Sequence, residues 1–289
     1  MSSHRFRTTA DDAGLRLDQV LAAHVPGLSR TRARAALAEG GVFVDGHRTK
    51  VASRAVKPDQ DVRVHLAARL RVVDGGAVES TIPIPTLHED EEVMVVEKPA
   101  GMFSAPTPES DRNNLLALLE RRHGSPLHLV HRLDRPTSGL MVFAKNKANA
   151  AALGHQLQIH DITRTYLAIV RGPLEREAQE VDLALDERPA RTRFTRLAVA
   201  GDATLVRAEL YTGRTHQVRR HAEFLGHPIL GDSKYGRPAL RGFSPRPPRM
   251  CLHAETLAFT TASGRELSFR SPLPDSLDAY WRELGGTAP

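Results

Sequence analysis

A carboxylate between two arginines is the feature of this sequence that most suggests chemistry. Asp134 lies between Arg132 and Arg135, and Pro136 follows. Proline fixes its own φ angle and disfavours the helical region for the residue before it, so this stretch cannot continue a helix. Residues 140–144 form an apolar run with the length of a buried strand. We therefore expect Asp134 in a turn beside a strand, where nearby cations favour its ionised form and a loop salt bridge is the simplest interpretation.

The residues around Asp134 also match a known motif. The stretch His131-Arg132-Leu133-Asp134, followed by Thr137-Ser138-Gly139-Leu140 and a strand that ends in Ala144-Lys145, closely resembles the signature of the RluA-type pseudouridine synthases. In that family the aspartate of the motif is the catalytic nucleophile, so the resemblance implies this role for Asp134. The arginine beside it, here Arg132, helps in the family to hold the target uridine outside its base stack. With this resemblance, catalysis becomes the preferred interpretation of Asp134.

Two further stretches resemble motifs of the same family. Lys98-Pro99-Ala100-Gly101 follows a predicted strand over residues 93–96 and matches the first motif, and the stretch from Thr212 to Arg219 matches the third. The resemblance implies that Lys98 contacts the substrate, although a lysine at the end of a strand is an equally good interpretation. Arg214 is assigned to the catalytic residues. We expect it to form an ion pair with Asp134, because an arginine fork orients a carboxylate.

Two strand residues complete the predicted site. Tyr166 lies two residues after Arg164 at the start of a predicted strand, as a tyrosine does in the family. The resemblance implies that Tyr166 stacks on uracil and assists proton transfer through its hydroxyl. Without the resemblance, this tyrosine would be a core residue whose hydroxyl reaches water. Leu210, in an alternating strand over residues 205–211, is assigned to the substrate-binding surface.

The reaction that the resemblance implies detaches uracil from its ribose, turns it and rejoins it through carbon 5. It needs a nucleophile and proton transfer but no redox step, so we expect no cofactor. Whether Asp134 attacks the base, attacks the sugar carbon or moves a sugar proton stays open. We also expect no metal site, because His216 and His221 lack the i, i+4 spacing of helical ligands and the arginines between them repel a cation.

The composition suits a protein of the cytoplasm that binds nucleic acid. The 289 residues carry a net charge of +6, and only six of the 40 basic residues are lysine. Arginine suits phosphate recognition, although a codon-driven preference for arginine is an alternative explanation. No apolar run is long enough to span a membrane, and the first residues lead into no apolar segment that would act as a secretory signal. Cys251 is the only cysteine, which excludes an internal disulfide and suits a reducing compartment.

The N-terminal residues resemble a small RNA-binding domain. Two short helices and a hairpin are predicted over residues 14–66, an arrangement similar to the S-four-type RNA-binding domain. The second helix follows Ser29, a good N-cap, and carries Arg30, Arg32 and Arg34 without an acid between them. The resemblance implies that these three arginines contact RNA phosphates. A solvated helix face is the alternative.

An α+β fold is expected for the whole chain. We assign residues 11–67 to the S-four-type domain, 68–85 to a linker and 86–289 to a pseudouridine synthase catalytic domain. The resemblance implies that the catalytic domain has a central mixed, mostly antiparallel sheet with a cleft across it. The basic, proline-rich segment 237–249 either contacts RNA or is disordered. No heptad or apolar stripe argues for self-association, so a monomer is expected.

The predicted function is the isomerisation of uridine to pseudouridine in structured RNA. Large-subunit ribosomal RNA is the preferred substrate, because the S-four-type domain is commoner among the enzymes that modify it. The Arg219-Arg220 pair resembles the members that modify transfer RNA, so tRNA is an alternative substrate. A non-catalytic RNA-binding factor for ribosome assembly is an alternative of another class.

Overall fold

The protein forms two compact units in the computed structural model, which describes residues 2–66, 83–108, 111, 114–236 and 241–287. The first unit consists of Met1–Ile82 with Phe103–Ser125, and the second of Pro83–Met102 with Pro126–Pro289. Both contain helices and sheets, so the predicted α+β class is confirmed. No helix in these described parts of the chain is long and apolar enough to cross a membrane.

The first unit packs helices against a four-stranded antiparallel sheet. Its elements in chain order are β1 (Ser2–Arg7), a 3-10 turn (Ala10–Asp12), α1 (Leu17–His24), α2 (Arg30–Glu39), β2 (Val42–Val44), β3 (His47–Arg48), β4 (Asp61–Leu66) and α3 (Leu115–His123). The strand order is β1-β4-β2-β3. Alternate residues of β4, Val62 and Val64, face inwards and share a core with Leu17, Leu21 and Leu37 of the two helices.

The predicted ends of α2 are confirmed. The Ser29 side chain accepts a hydrogen bond from the Arg32 amide at 3.3 Å, which satisfies one of the free N–H groups at the start of the helix. Gly40 follows the helix with a φ of +82°, a left-handed conformation that glycine adopts without steric cost. Local residue chemistry therefore sets both ends of this helix.

The first unit includes residues before and after the predicted range 11–67. β1 lies before the predicted start at residue 11 and pairs with β4 along its whole length. Residues 103–125, which were assigned to the catalytic domain, cluster with the first unit. Lys50 donates to Asp111 at 2.7 Å and Arg48 donates to the Thr107 carbonyl at 2.7 Å. These partners are far apart in the chain, so no local pattern reveals them. Most of the predicted linker, residues 68–85, lies outside the described residues.

The second unit is organised around a ten-stranded sheet. Its strands are β5 (Thr86–Glu89), β6 (Val93–Lys98), β7 (His128–Leu129), β8 (Ser138–Ala144), β9 (Thr163–Arg171), β10 (Ala178–Asp182), β11 (Arg191–Ala200), β12 (Ala203–Leu210), β13 (Leu252–Thr260) and β14 (Glu266–Arg270). Its helices are α4 (Lys147–Gln158), α5 (Gln217–Phe224) and α6 (Asp275–Glu283). The main path is β10-β11-β12-β9-β13-β8-β6-β5, with β14 on β13 and β7 on β8.

The predicted mixed, mostly antiparallel sheet is confirmed. Among the strand pairs of the described residues, β8 and β13 alone run parallel, with Ser138 opposite His253. β8 is buried along all seven residues, as its apolar sequence predicts. The turn that carries Asp134 leads directly into this central strand, so the sheet positions the turn.

The described part of the basic segment 237–249 is anchored. The Tyr280 hydroxyl on α6 donates to the Pro245 carbonyl at 2.8 Å, and Arg249 donates to the Ser138 hydroxyl at 2.9 Å. The alternative that this segment is disordered therefore does not hold for residues 241–249. Residues 237–240 lie outside the described part of the chain.

Gly139 on β8 is expected to tolerate no side chain. Its φ is +119°, and an added Cβ would lie within 2.8 Å of three backbone atoms of Ala254 on β13. Gly139→Ala should therefore destabilise the second unit by about 3 kcal/mol or more, seen as a lower Tm in calorimetry. Gly154 in α4 is the matched control, since a Cβ there meets nothing within 4 Å and Gly154→Ala should not lower Tm. Equal melting temperatures for the two variants would contradict the close approach of β8 and β13.

Candidate active site

A small cavity in the second unit brings five of the predicted site residues together. Its volume is about 70 Å³, and Arg132, Asp134, Tyr166, Leu210 and Arg214 line it. They come from the turn before β8, the beginning of β9, the end of β12 and the turn before α5. They meet because β9 pairs with both β12 and β13, and β13 pairs with β8.

Asp134 is held by an arginine that the sequence reasoning did not select. Arg219, in the first turns of α5, donates from Nη1 to Asp134 Oδ2 at 2.8 Å. The Arg219 side chain is only 7% exposed, whereas that of Asp134 is 24% exposed. The carboxylate is therefore oriented from the protein side and presented to the cavity.

The expected ion pair between Arg214 and Asp134 is wrong. Arg214 donates from Nε to the Pro189 carbonyl at 3.0 Å, and Arg219 takes the place beside the carboxylate. Arg214 lies in the turn before α5, while Arg219 lies on the helix face that carries the buried residues Val218 and Ala222. Arg214 still lines the cavity together with Asp134 and Tyr166.

The other side of the Arg219 fork binds a second carboxylate. Nε and Nη2 donate to the two oxygens of Asp232 at 2.7 and 2.9 Å. Asp232 is only 1% exposed and also accepts the backbone amides of Lys234 and Tyr235 at 2.9 and 3.2 Å. Burial alone would raise the pKa of Asp232, but these donors, above all Arg219, lower it below its usual value. Arg219 thus ties the segment after α5 to the turn of Asp134.

Tyr166 is buried beside the carboxylate. Burial raises its pKa above the usual value, an effect that nearby Arg164 partly offsets, so the phenol is protonated at neutral pH. A protonated phenol both donates and accepts hydrogen bonds. In the strand register Tyr166 stands opposite Ala208 on β12 and opposite Ala254 on β13, and it lines the cavity.

Lys98 does not face the substrate space. Its side chain is 0% exposed, and its ammonium donates to the carbonyls of Met102, Pro99 and Arg135 at 2.9, 3.0 and 3.3 Å. Burial lowers its pKa to about 7, although Asp134 opposes this effect. The structure therefore does not bring Lys98 to the cavity with the other predicted site residues. Lys98 instead joins the turn after β6 to the turn that carries Asp134.

The arginines of α2 have an acidic partner after all. Asp18 of α1 is fully buried and lies 2.6 Å from Arg34, 3.0 Å from Arg16 and 3.5 Å from Arg30. Burial alone would raise the pKa of Asp18, but Arg16 and Arg34 lower it to about 2. Arg32 is exposed and has no ion-pair partner among the described residues. Of the three predicted RNA contacts, Arg32 is the one whose charge the domain leaves unpaired.

The role of Arg219 had a signal in the sequence. Val218 and Ala222 mark the apolar side of the helix, and a residue three positions before Ala222 lies on the same side. A buried arginine requires a carboxylate, and the segment after the helix offers Asp232. Which carboxylates it reaches, however, depends on the packing of α5 against the sheet.

Comparison with known proteins identifies both units. Residues 92–224 match the family model of RNA pseudouridylate synthase, and residues 15–62 match the model of the S4 domain. The chain is 35% identical to ribosomal large subunit pseudouridine synthase D of Nitrosomonas europaea, over 94% of this chain and 85% of that protein. It is 33% identical to ribosomal large subunit pseudouridine synthase D of Xanthomonas campestris, over 98% of this chain and 93% of that one.

A solved structure shares the fold. Human RNA pseudouridylate synthase domain containing 4 superposes with a TM-score of 0.60 at 26% identity, covering 71% of this chain and 94% of that one. The fold of the covered part of this chain is thus found in a protein that is named for the same kind of synthase.

Removing the Arg219 guanidinium should unpair a buried charge. We expect Arg219→Gln to destabilise the second unit by about 3–5 kcal/mol at pH 7, because Asp232 stays buried without its partner. The pKa of Asp232 is lowered in the folded protein, so its contribution to stability is present above its unfolded pKa and is lost as the pH falls through the folded value. The difference in free energy of unfolding between wild type and variant should therefore shrink as the pH falls below about 4.

The matched control is Arg265→Gln. Arg265 pairs at 2.7 Å with Asp90 and with Glu92 but is half exposed, so its loss should cost less than about 1 kcal/mol. Urea unfolding at several pH values measures both variants. A constant difference for Arg219→Gln from pH 7 to pH 3 would contradict a buried Asp232 that depends on Arg219.

Proposed function

This chain belongs to the RNA pseudouridylate synthase family and is a pseudouridine synthase. We propose that its substrate is large-subunit ribosomal RNA and that Asp134 is its catalytic carboxylate. The observation that carries the proposal is the contact of Asp134 with Arg219 inside a cavity that Tyr166 also lines. A carboxylate so oriented serves covalent or proton-transfer chemistry at a sugar or a base.

The proposed substrate rests on similarity over nearly the whole chain. The relatives from Nitrosomonas europaea and Xanthomonas campestris are both named for the large ribosomal subunit, and the alignments cover 94% and 98% of this chain. The Arg219-Arg220 pair gave the argument for transfer RNA. Arg219 is engaged by two carboxylates and Arg220 donates to Asp186 at 2.9 Å, so neither arginine carries an unpaired charge. Ribosomal RNA is therefore the better proposal.

We propose distinct roles for the residues around the cavity. Asp134 faces the target uridine, and the protonated Tyr166 stacks on the base and exchanges a proton through its hydroxyl. Leu210 supplies an apolar wall. The exposed Arg132 stacks where the extruded base had been, since its guanidinium plane can replace a base. Arg214 serves the substrate directly, because this residue lines the cavity without pairing with Asp134.

The first unit is proposed to add phosphate affinity. Its α2 presents Arg32 to solvent, with Arg30 and Arg34 beside it and partly neutralised by Asp18. Contacts of this kind are independent of sequence and weaken with salt. They hold the RNA while the second unit selects the uridine.

Asp134→Asn should remove catalysis and leave the fold intact. The amide keeps the shape of the carboxylate but has lost the charge, so pseudouridine formation should fall by at least about 10²–10⁴-fold with Tm almost unchanged. The measurement is a pseudouridine map of total RNA from cells that lack this protein, rescued with wild type or with the variant. Wild type alone should restore a site in large-subunit ribosomal RNA.

Each other outcome has a defined meaning. A restored site in transfer RNA would replace the substrate proposal. A site that Asp134→Asn also restores would remove Asp134 from the chemistry. A deletion that changes ribosome assembly but no uridine would favour the non-catalytic RNA-binding factor.

Arg32→Gln should weaken RNA binding in a salt-dependent way. Loss of one phosphate contact should lower the slope of log affinity against log salt by about 0.7–0.9 and leave Tm unchanged. Arg282→Gln is the control, since Arg282 is also an exposed helical arginine but pairs with Asp278 at 2.9 Å. Filter binding to ribosomal RNA at several salt concentrations measures both. Identical slopes for wild type and Arg32→Gln would exclude Arg32 from phosphate contact.

A further inference from the structure

A histidine and a tyrosine next to Asp134 have no part in the reaction as proposed so far. We propose that His216 and Tyr235 form a second support for Asp134, in which the neutral imidazole donates from Nε2 to Oδ1 while the tyrosine hydroxyl donates to Nδ1. Both are positioning residues. The proposal rests on the assignment of Asp134 as the catalytic carboxylate.

The imidazole of His216 lies between the Tyr235 hydroxyl and the Asp134 carboxylate. His216 Nδ1 lies 2.8 Å from the Tyr235 hydroxyl, and His216 Nε2 lies 3.6 Å from Asp134 Oδ1. A movement of a few tenths of an ångström brings the second contact to hydrogen-bond length, and catalytic hydrogen bonds often tighten when substrate binds. Arg219 occupies the other carboxylate oxygen, Oδ2. The two oxygens of Asp134 thus face two different side chains.

The backbone at His216 is held in an uncommon conformation that serves this contact. His216 precedes α5 with a φ of +56°, in the left-handed region that few residues other than glycine adopt. The buried Gln217 fixes the turn, because its side-chain oxygen accepts from the Thr212 hydroxyl at 2.8 Å and from the Arg214 amide at 3.0 Å. Strained conformations of this kind persist where surrounding contacts determine them, often at active sites.

Tyr235 is tied to the same network from the other side. Asp232 accepts the Tyr235 amide at 3.2 Å and binds the Arg219 fork. The Arg219 guanidinium lies 5.0 Å from the centre of the Tyr235 ring, and the rings of His216 and Tyr235 meet edge to face at 5.5 Å. Asp232 therefore positions both Arg219 and Tyr235. Arg219 contacts Asp134 directly, whereas Tyr235 acts on Asp134 through His216.

The charge of the imidazole decides the direction of the two hydrogen bonds. Burial lowers the pKa of His216. The negative charges of Asp134 and Asp232 act in the opposite direction, whereas the positive charges of Arg219 and Lys234 lower this pKa further. A neutral imidazole has one donor and one acceptor nitrogen. The nitrogen that faces a carboxylate must carry the proton, so Nδ1 is the acceptor and the Tyr235 hydroxyl is its donor. Tyr235 thereby selects the tautomer that Asp134 requires.

Tyr235→Phe tests the proposal with the ring retained. The variant should slow single-turnover pseudouridine formation by about three- to tenfold, the effect of one hydrogen bond, with RNA affinity and Tm unchanged. The hydroxyl stabilises the neutral imidazole, so its loss should raise the pKa of His216 and move the acidic limb of the pH–rate profile to higher pH. Tyr280→Phe is the matched control, because it removes a buried hydroxyl that donates to the Pro245 carbonyl, and its rate should equal that of wild type.

Two substitutions of His216 separate the effect of side-chain length from the effect of the left-handed backbone conformation. Asparagine tolerates the left-handed conformation but is too short to replace Nε2, whereas glutamine can place an N–H near that position. His216→Gln should therefore retain more of the wild-type rate than His216→Asn. The RNA is total RNA from cells that lack this protein, read at the uridine that wild type modifies.

The outcomes distinguish this proposal from the assignment of Asp134. If Asp134→Asn is inactive while Tyr235→Phe and both His216 variants react at the wild-type rate across the pH range, the second support is refuted and the proposed function stands. If the variants lose RNA affinity instead of rate, His216 and Tyr235 contact RNA and the proposal is also overturned. If Asp134→Asn remains active, the proposed function itself fails.

Discussion

One guanidinium, that of Arg219, joins the parts of the candidate active site that lie far apart in the chain. It reaches Asp134, which is 85 residues away, and Asp232, which is 13 residues away. A buried charge is costly unless it is paired, so these three residues stabilise one another only when α5, the turn before β8 and the segment after α5 are all in place. Folding of the second unit and the positioning of Asp134 are therefore linked.

The sheet supplies the surface on which this cluster rests. β8 pairs with β13 in parallel, and Gly139 leaves the room that the Ala254 backbone needs at this close approach. Behind the turn, the Ser138 hydroxyl contacts His253 Nδ1 at 2.9 Å and accepts from Arg249 at 2.9 Å. Burial lowers the pKa of His253 to about 4, so this ring is neutral and serves as a fixed hydrogen-bonding element. The hydrogen bonds of Ser138 therefore hold the beginning of β8, and Arg219 holds Asp134 in the turn that precedes it.

The excess of arginine in the composition is a poor guide to which arginines carry an unpaired charge. In the first unit, Asp18 engages Arg16, Arg30 and Arg34, while Arg32 keeps an unpaired charge among the described residues. A helix with three arginines in five positions looks uniformly basic in the sequence. An acid from the preceding helix changes this, because two short helices packed together bring position 18 next to positions 30 and 34.

The sequence by itself determined the elements whose causes are local, namely the caps of α2, the buried strand β8 and the turn that holds Asp134, because each depends on residues within a few positions of one another. The family resemblance added Asp134, Tyr166 and Arg214, which the structure brings to one cavity. Only the tertiary structure decided which side chains meet. It pairs Asp134 with Arg219 instead of Arg214, and it buries Lys98 outside the lining of the cavity. Side-chain partners separated by tens of residues depend on how helices pack on the sheet, and no local pattern carries that information.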